Sequence, residues 1–186
     1  MNYSKEDDLL IQTYLTTEFL FELSNLKFLE SPYYKNANFV DKSVHQFLPT
    51  IGIGNRGALL MTLYSLLIVP KELIEKKYRK EFRDLNIFVG TIKSDVNTTY
   101  EKDTNSVDYI RHIRNAVAHA NMEFTSENEV VFLDHNKYYD EKKKLLIIED
   151  CSITIPLVKI DLLINQLKKI FAKHIEKLKI EMLSKK

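Results

Sequence analysis

Asp108, Arg111, His112, Arg114, Asn115 and His119 fall within twelve consecutive residues. Imidazoles exchange protons near neutral pH and can act as acid or base. Guanidiniums stay charged and present a fork that matches phosphate. This inventory suits proton transfer beside a phosphate. It does not suit a metal centre. His112 and His119 are seven apart, about 10 Å along a helix, too far to share one tetrahedral ion within a chain. The lone Cys151 excludes an internal disulfide and a multi-cysteine zinc site. His45, His135 and His174 have no motif around them. The expectation is a site without metal or cofactor.

These residues read as one helix. At about 100° per residue Val107, Ile110, Ile113, Val117 and Ala120 share an apolar side. Asp108, His112, Asn115 and His119 share the opposite side, in a strip about 60° wide. Asp108 and His112 are an i, i+4 pair, the spacing at which a carboxylate can orient an imidazole.

The run Arg114-Asn115-Ala116-Val117-Ala118-His119 resembles the Arg-(four residues)-His motif of the HEPN superfamily, in the variant with Asn after the Arg. The resemblance implies a small helical bundle and a metal-independent endoribonuclease acting on single-stranded RNA. His119 would be the acid/base, Arg114 the phosphate stabiliser and Asn115 a positioning group. Asp108, Arg111 and His112 are read beside it as supporting contacts. Arg114 and His119 are about 140° apart around a helix, so one helix makes a poor site. The family's answer is a homodimer in which two motifs line one cleft. The resemblance also suggests a toxin or defence effector, with an antitoxin protein as a candidate partner. HEPN toxins paired with a nucleotidyltransferase often carry Tyr two positions after the motif His; here Asn121 stands there, which argues against that control. The competing expectation is a HEPN-like RNA-binding or protein-assembly module without cleavage.

Composition is ordinary for a globular chain, with 28% charged and 45% hydrophobic residues, which argues against disorder. A net charge of +1 excludes a protein that coats nucleic acid by general phosphate neutralisation, so RNA binding has to be local. No secretory signal is visible, and the apolar run at 58–69 is too short to span a bilayer. The expectation is a soluble, cytoplasmic protein without membrane contact.

The 186 residues read as one HEPN-like domain. Ser4 caps a first helix running to about Leu29. One helical turn is expected around 41–48, stopped by Pro49. Gly52-Ile53-Gly54-Asn55-Arg56-Gly57 spells a dinucleotide-binding pattern, but no strand precedes it and helices follow. It is better read as a turn in which Asn55 caps the next helix, with Asn55 and Arg56 as secondary anion-binding candidates. Residues 58–69 are expected to form a buried helix broken at Pro70. Two helical segments or one should follow over 71–96, then a polar loop over 95–103, with Asn105 or Ser106 capping the motif helix. After Asn121 the period changes to short strands at 122–124, 129–133, 145–149 and 151–155, separated by a charged loop over 134–144. Pro156 starts a last helix, along which seven lysines lie between Lys168 and Lys186. The fold expected is mainly α: a helical bundle with a small antiparallel β insertion over about 122–155.

Overall fold

The computed structural model describes residues 4–184, apart from the side chains of Glu72 and Met182; Met1 to Tyr3, Lys185 and Lys186 lie outside the described residues. Among the described residues seven α-helices run α1 Lys5–Asn25, α2 Pro32–Asn36, α3 Lys42–Ile51, α4 Arg56–Leu73, α5 Arg79–Ile92, α6 Tyr109–Ala118 and α7 Leu157–Leu183. Four strands, β1 Asp95–Thr98, β2 Met122–Phe124, β3 Glu129–Asp140 and β4 Leu145–Pro156, form one antiparallel sheet in the order β1-β4-β3-β2. The chain is mainly helical with a small antiparallel sheet. No single described helix is long and apolar enough to cross a membrane.

The helix starts follow side-chain capping. The Ser4 hydroxyl accepts from the Asp7 amide at 3.0 Å, and Asn55 Oδ1 accepts from the Ala58 amide at 3.1 Å. Gly52 sits at φ +79°, where a Cβ would be strained, so the glycine segment is a helix-to-helix turn between α3 and α4. Neither flank is a strand, and the dinucleotide pattern fails on context. The core joins Leu63, Leu66 and Leu67 of α4, Ile113 and Val117 of α6, Leu163 and Leu167 of α7, and Phe132, Ile153 and Ile155 of the sheet. The motif helix α6 is therefore central, with α4 and α5 on one side and β3 and β4 on another.

Several boundaries differ from the sequence expectation. Pro49 and Pro70 lie inside α3 and α4 rather than ending them. Asp108, not Asn105 or Ser106, caps α6, its carboxylate accepting from the Arg111 amide at 3.1 Å. The expected loop at 134–144 is mostly strand: β3 continues to Asp140, and the two strands expected over 145–155 are one. The polar stretch at 95–103 supplies β1, which pairs with β4 through Val96 opposite Ile153. The sheet is thus completed from before the motif helix as well as after it.

Candidate active site

The start of α6 is clamped from α5. Asn86 Nδ2 donates to the Val107 carbonyl and Asn86 Oδ1 accepts from the Ile110 amide, each at 3.0 Å. Gly90 lets the helices close up: a Cβ there would stand 3.2 Å from the Tyr109 ring. The far end is set just as firmly. His119 is the C-cap, the Ala120 amide donates to the Val117 carbonyl, and the Asn121 amide donates to the Ala116 carbonyl. Those two bonds form a Schellman motif, and they put Ala120 at φ +54°. Asn121 then accepts from the Leu133 amide, tying the helix exit to β3.

His112, on the polar strip opposite the apolar side, is buried because the sheet covers that side of α6. Its Nδ1 is 2.6 Å from Asp134 Oδ2, and its Nε2 is 2.7 Å from Asp103 Oδ2. Arg111 Nη2 donates to Asp103 Oδ1 at 3.1 Å, Thr98 Oγ1 donates to Asp103 Oδ2 at 2.9 Å, and Asn115 Nδ2 donates to Asp134 Oδ2 at 3.2 Å. The Tyr100 ring covers His112 with centroids 4.7 Å apart, and the Arg111 guanidinium stacks over the same ring. Burial pushes the Asp103 carboxyl up, but the hydrogen bonds from Thr98 and His112 and the His112 charge together hold it below its ordinary value. Burial, followed by the Asp134 charge, raises the Tyr100 hydroxyl, which lacks an aligned hydrogen-bond partner. Asp108, the expected partner of His112, caps the helix and lies near Arg111 instead.

Asp103, His112 and Cys151 also bring their ligand atoms within 4.8 Å of one another. The donor set is wrong for a metal. Arg111 Nη2 already stands 2.9 Å from His112 Nε2, and burial pushes the Cys151 thiol up to about 11. The Arg111 guanidinium thus stands where an ion bound to His112 Nε2 would need space.

Arg114 turns the other way. It is buried, and its Nη2 lies 3.3 Å from Glu75 Oε2, yet Nε and Nη2 have no aligned acceptor. The ion pair is therefore one of proximity, and two donors remain unmet. Arg114 lines a cleft of about 480 Å³ between the end of α4, α5 and α6. Lys71, Arg79, Arg83 and Arg111 line it too, against the carboxylates of Glu75 and Asp108. His119 is exposed at the C-terminal end of α6 and does not line that cleft.

The secondary candidates separate. Asn55 uses its carboxamide locally, accepting from Ala58 and donating to the Gly52 carbonyl at 2.8 Å. Arg56 is exposed and stacks on Phe124 of β2 at 4.7 Å, on the strand entered from the His119 turn. Sequence reasoning missed Asp103, Asp134, Thr98, Tyr100 and Glu75. Asp134 had a signal: it follows Val130 and Phe132 at period two, an acidic residue on an inward register. Assigning 134–144 to a loop hid it.

The family profile described as HEPN pEK499 p136 matches residues 1–178. The chain belongs to this HEPN family. Comparison with curated proteins and with solved structures gave no match. The match spans every element described above except the end of α7, so the Arg114–His119 motif lies inside a HEPN chain rather than in an unrelated helix.

Proposed function

We propose that this HEPN protein is a metal-independent endoribonuclease that cleaves single-stranded RNA and serves as a toxin or defence effector. The observation that carries the reading is Arg114: a mostly buried guanidinium beside Glu75, on the wall of a cleft rich in cations. A phosphate oxygen is the acceptor a guanidinium fits best. The ribose 2′-oxygen attacks the adjacent phosphorus and loses its proton to a base. The bond to the 5′-oxygen breaks, and an acid protonates that leaving oxygen. The products are a 2′,3′-cyclic phosphate and a 5′-hydroxyl, and no metal enters the balance. His119 serves as a proton carrier, Arg114 stabilises the phosphorane charge, and Asn115, held by Asp134, sets the helix face beside them. Arg111 lies beside Arg114 in the cleft.

The cleft that holds Arg114 lacks His119, so the reading includes a two-fold homodimer in which two copies of α6 complete one site. The test is cleavage of a labelled single-stranded RNA in EDTA by the parent and by His119→Ala. Cleavage that survives EDTA and disappears in the folded variant is expected. A folded His119→Ala protein that cuts at the parent rate sinks the nuclease assignment and leaves a HEPN binding or assembly module.

A further inference from the structure

The outer half of the β3–β4 hairpin belongs to neither the core nor the cleft. β1 leaves the sheet at Thr98, opposite Cys151, and β2 begins at Met122, opposite Phe132. From Asn136 opposite Glu149 to Asp140 opposite Leu145, the two strands have only each other as ladder partners. Such a ribbon is marginal alone and gains from something laid on it. Its side chains alternate. Lys137 and Tyr139 point to one face with Ile148 and Leu146 opposite them, and Tyr138 points to the other with Ile147 opposite. Tyr139 is 60% exposed, Ile148 59% and Leu146 50%, so this face is an uncovered aromatic and aliphatic floor.

The charges decide what fits that floor. Three of the ribbon's four carboxylates are engaged: Asp140 caps the Lys142 and Lys143 amides, Glu149 is buried against Asn136 and the Glu101 amide, and Asp150 pairs with His135, while Glu141 is exposed in the turn among the lysines. Lys143 lies 3.9 Å from Glu101. Lys137, Lys142 and Lys144 have no carboxylate within ion-pair distance among the described residues. Free ammonium groups interleaved with an exposed aromatic ring are the two parts of a single-strand nucleic-acid platform: cations for the backbone and a π-face for the bases.

We propose that this ribbon is an RNA-gripping arm, on which Tyr139 stacks a base while Lys137, Lys142 and Lys144 hold the flanking phosphates. The inference rests on the endoribonuclease reading and adds where the substrate is held. The arm is rooted in the site: Asp134, which holds His112 and Asn115, is on the same strand as Tyr139. Tyr139 stands five positions further along the strand, about 17 Å from Asp134 and on the opposite face of the sheet.

The experiment uses the full chain carrying His119→Ala, so that the RNA survives, and fluorescence anisotropy with labelled oligouridine. Adding Tyr139→Ala is expected to weaken binding by about 5- to 150-fold, with Tyr139→Phe close to the parent. Lys142→Ala with Lys144→Ala should flatten the dependence of log affinity on log salt, by about 0.7 per lysine. In the otherwise unaltered chain, Tyr139→Ala should raise KM for cleavage and leave kcat in place. RNA bound equally by the parent, Tyr139→Ala and the double lysine variant overturns the arm while sparing the nuclease reading. Unchanged RNA binding with a lower mass in light scattering reassigns the ribbon to contact between copies. A His119→Ala parent that binds no RNA overturns both readings together.

Discussion

His112 lies between Asp103 and Asp134, each of them buried. Removing the imidazole leaves two carboxylates facing one void, so His112→Ala should cost on the order of 3–5 kcal/mol, read as a drop in urea midpoint at unchanged m. Asp103 adds a pH dependence with a definite sign. Its carboxyl in the fold titrates below the unfolded value of about 3.9. Its stabilisation is therefore complete above that value and is lost as pH falls through it toward the folded value. Urea titrations at pH 7 and at pH 3 should show a smaller acid loss in Asp103→Asn than in the parent; equal losses would remove Asp103 from this role. The motif pair should split on stability. His119 is exposed, so His119→Ala should melt within about 1 °C of the parent. Arg114 is buried, and Arg114→Ala should cost on the order of 1 kcal/mol while relieving its two unmet donors. Cys151 is buried with its thiol pushed up to about 11, so a disulfide reagent at pH 7.5 should label only unfolded protein.

At the scale of elements, the turn after α6 holds an avoidable strain. Ala120 occupies the left-handed position of a Schellman motif, where a Cβ costs about 1 kcal/mol or more. Ala120→Gly should therefore raise the melting temperature slightly, despite the greater freedom glycine has in the unfolded chain; a lower melting temperature would contradict the assigned geometry. The same elements show what the sequence reveals and what it conceals. Helical periodicity located α6, because Ile110, Ile113 and Val117 repeat on one side and are all buried. It did not reveal that His112 is buried, because periodicity reports which side is apolar and not which side is covered. The second side of α6 is covered by a sheet whose inward residue there is Asp134, and buried polar groups paired with each other look like surface in a hydrophobicity pattern. β1 was illegible for a related reason: Asp95 and Asn97 have weak strand preference, and pairing with Thr154 and Ser152 overrides it. Asn55 was legible because capping is local, needing only the next three residues.

On the scale of the whole molecule, a net charge of +1 conceals local separation. Lys71, Arg79, Arg83, Arg111 and Arg114 crowd one cleft, while the carboxylates of Asp103 and Asp134 are folded inward onto His112. The uncovered apolar surface lies elsewhere. α3 buries no residue, and Phe47, Ile51, Met61 and Tyr64 are exposed along α3 and α4. That surface and the split site lead to one expectation: light scattering at tens of micromolar should give twice the 21.9 kDa chain mass, and a monomer that retains full activity would refute the shared cleft. The order of the sheet has a further consequence, in time rather than in space. β1 precedes α6, yet its pairing partner is β4, and the carboxylate that holds Asn115 lies on β3. During synthesis the motif helix emerges from the ribosome before either partner exists, and contacts so distant in sequence form late. A nascent chain ending before β4 carries the whole Arg114–His119 motif without the frame that orients it. The cell's translation machinery, itself built of RNA, thus makes this chain in an unassembled form until most of it has been released from the exit tunnel.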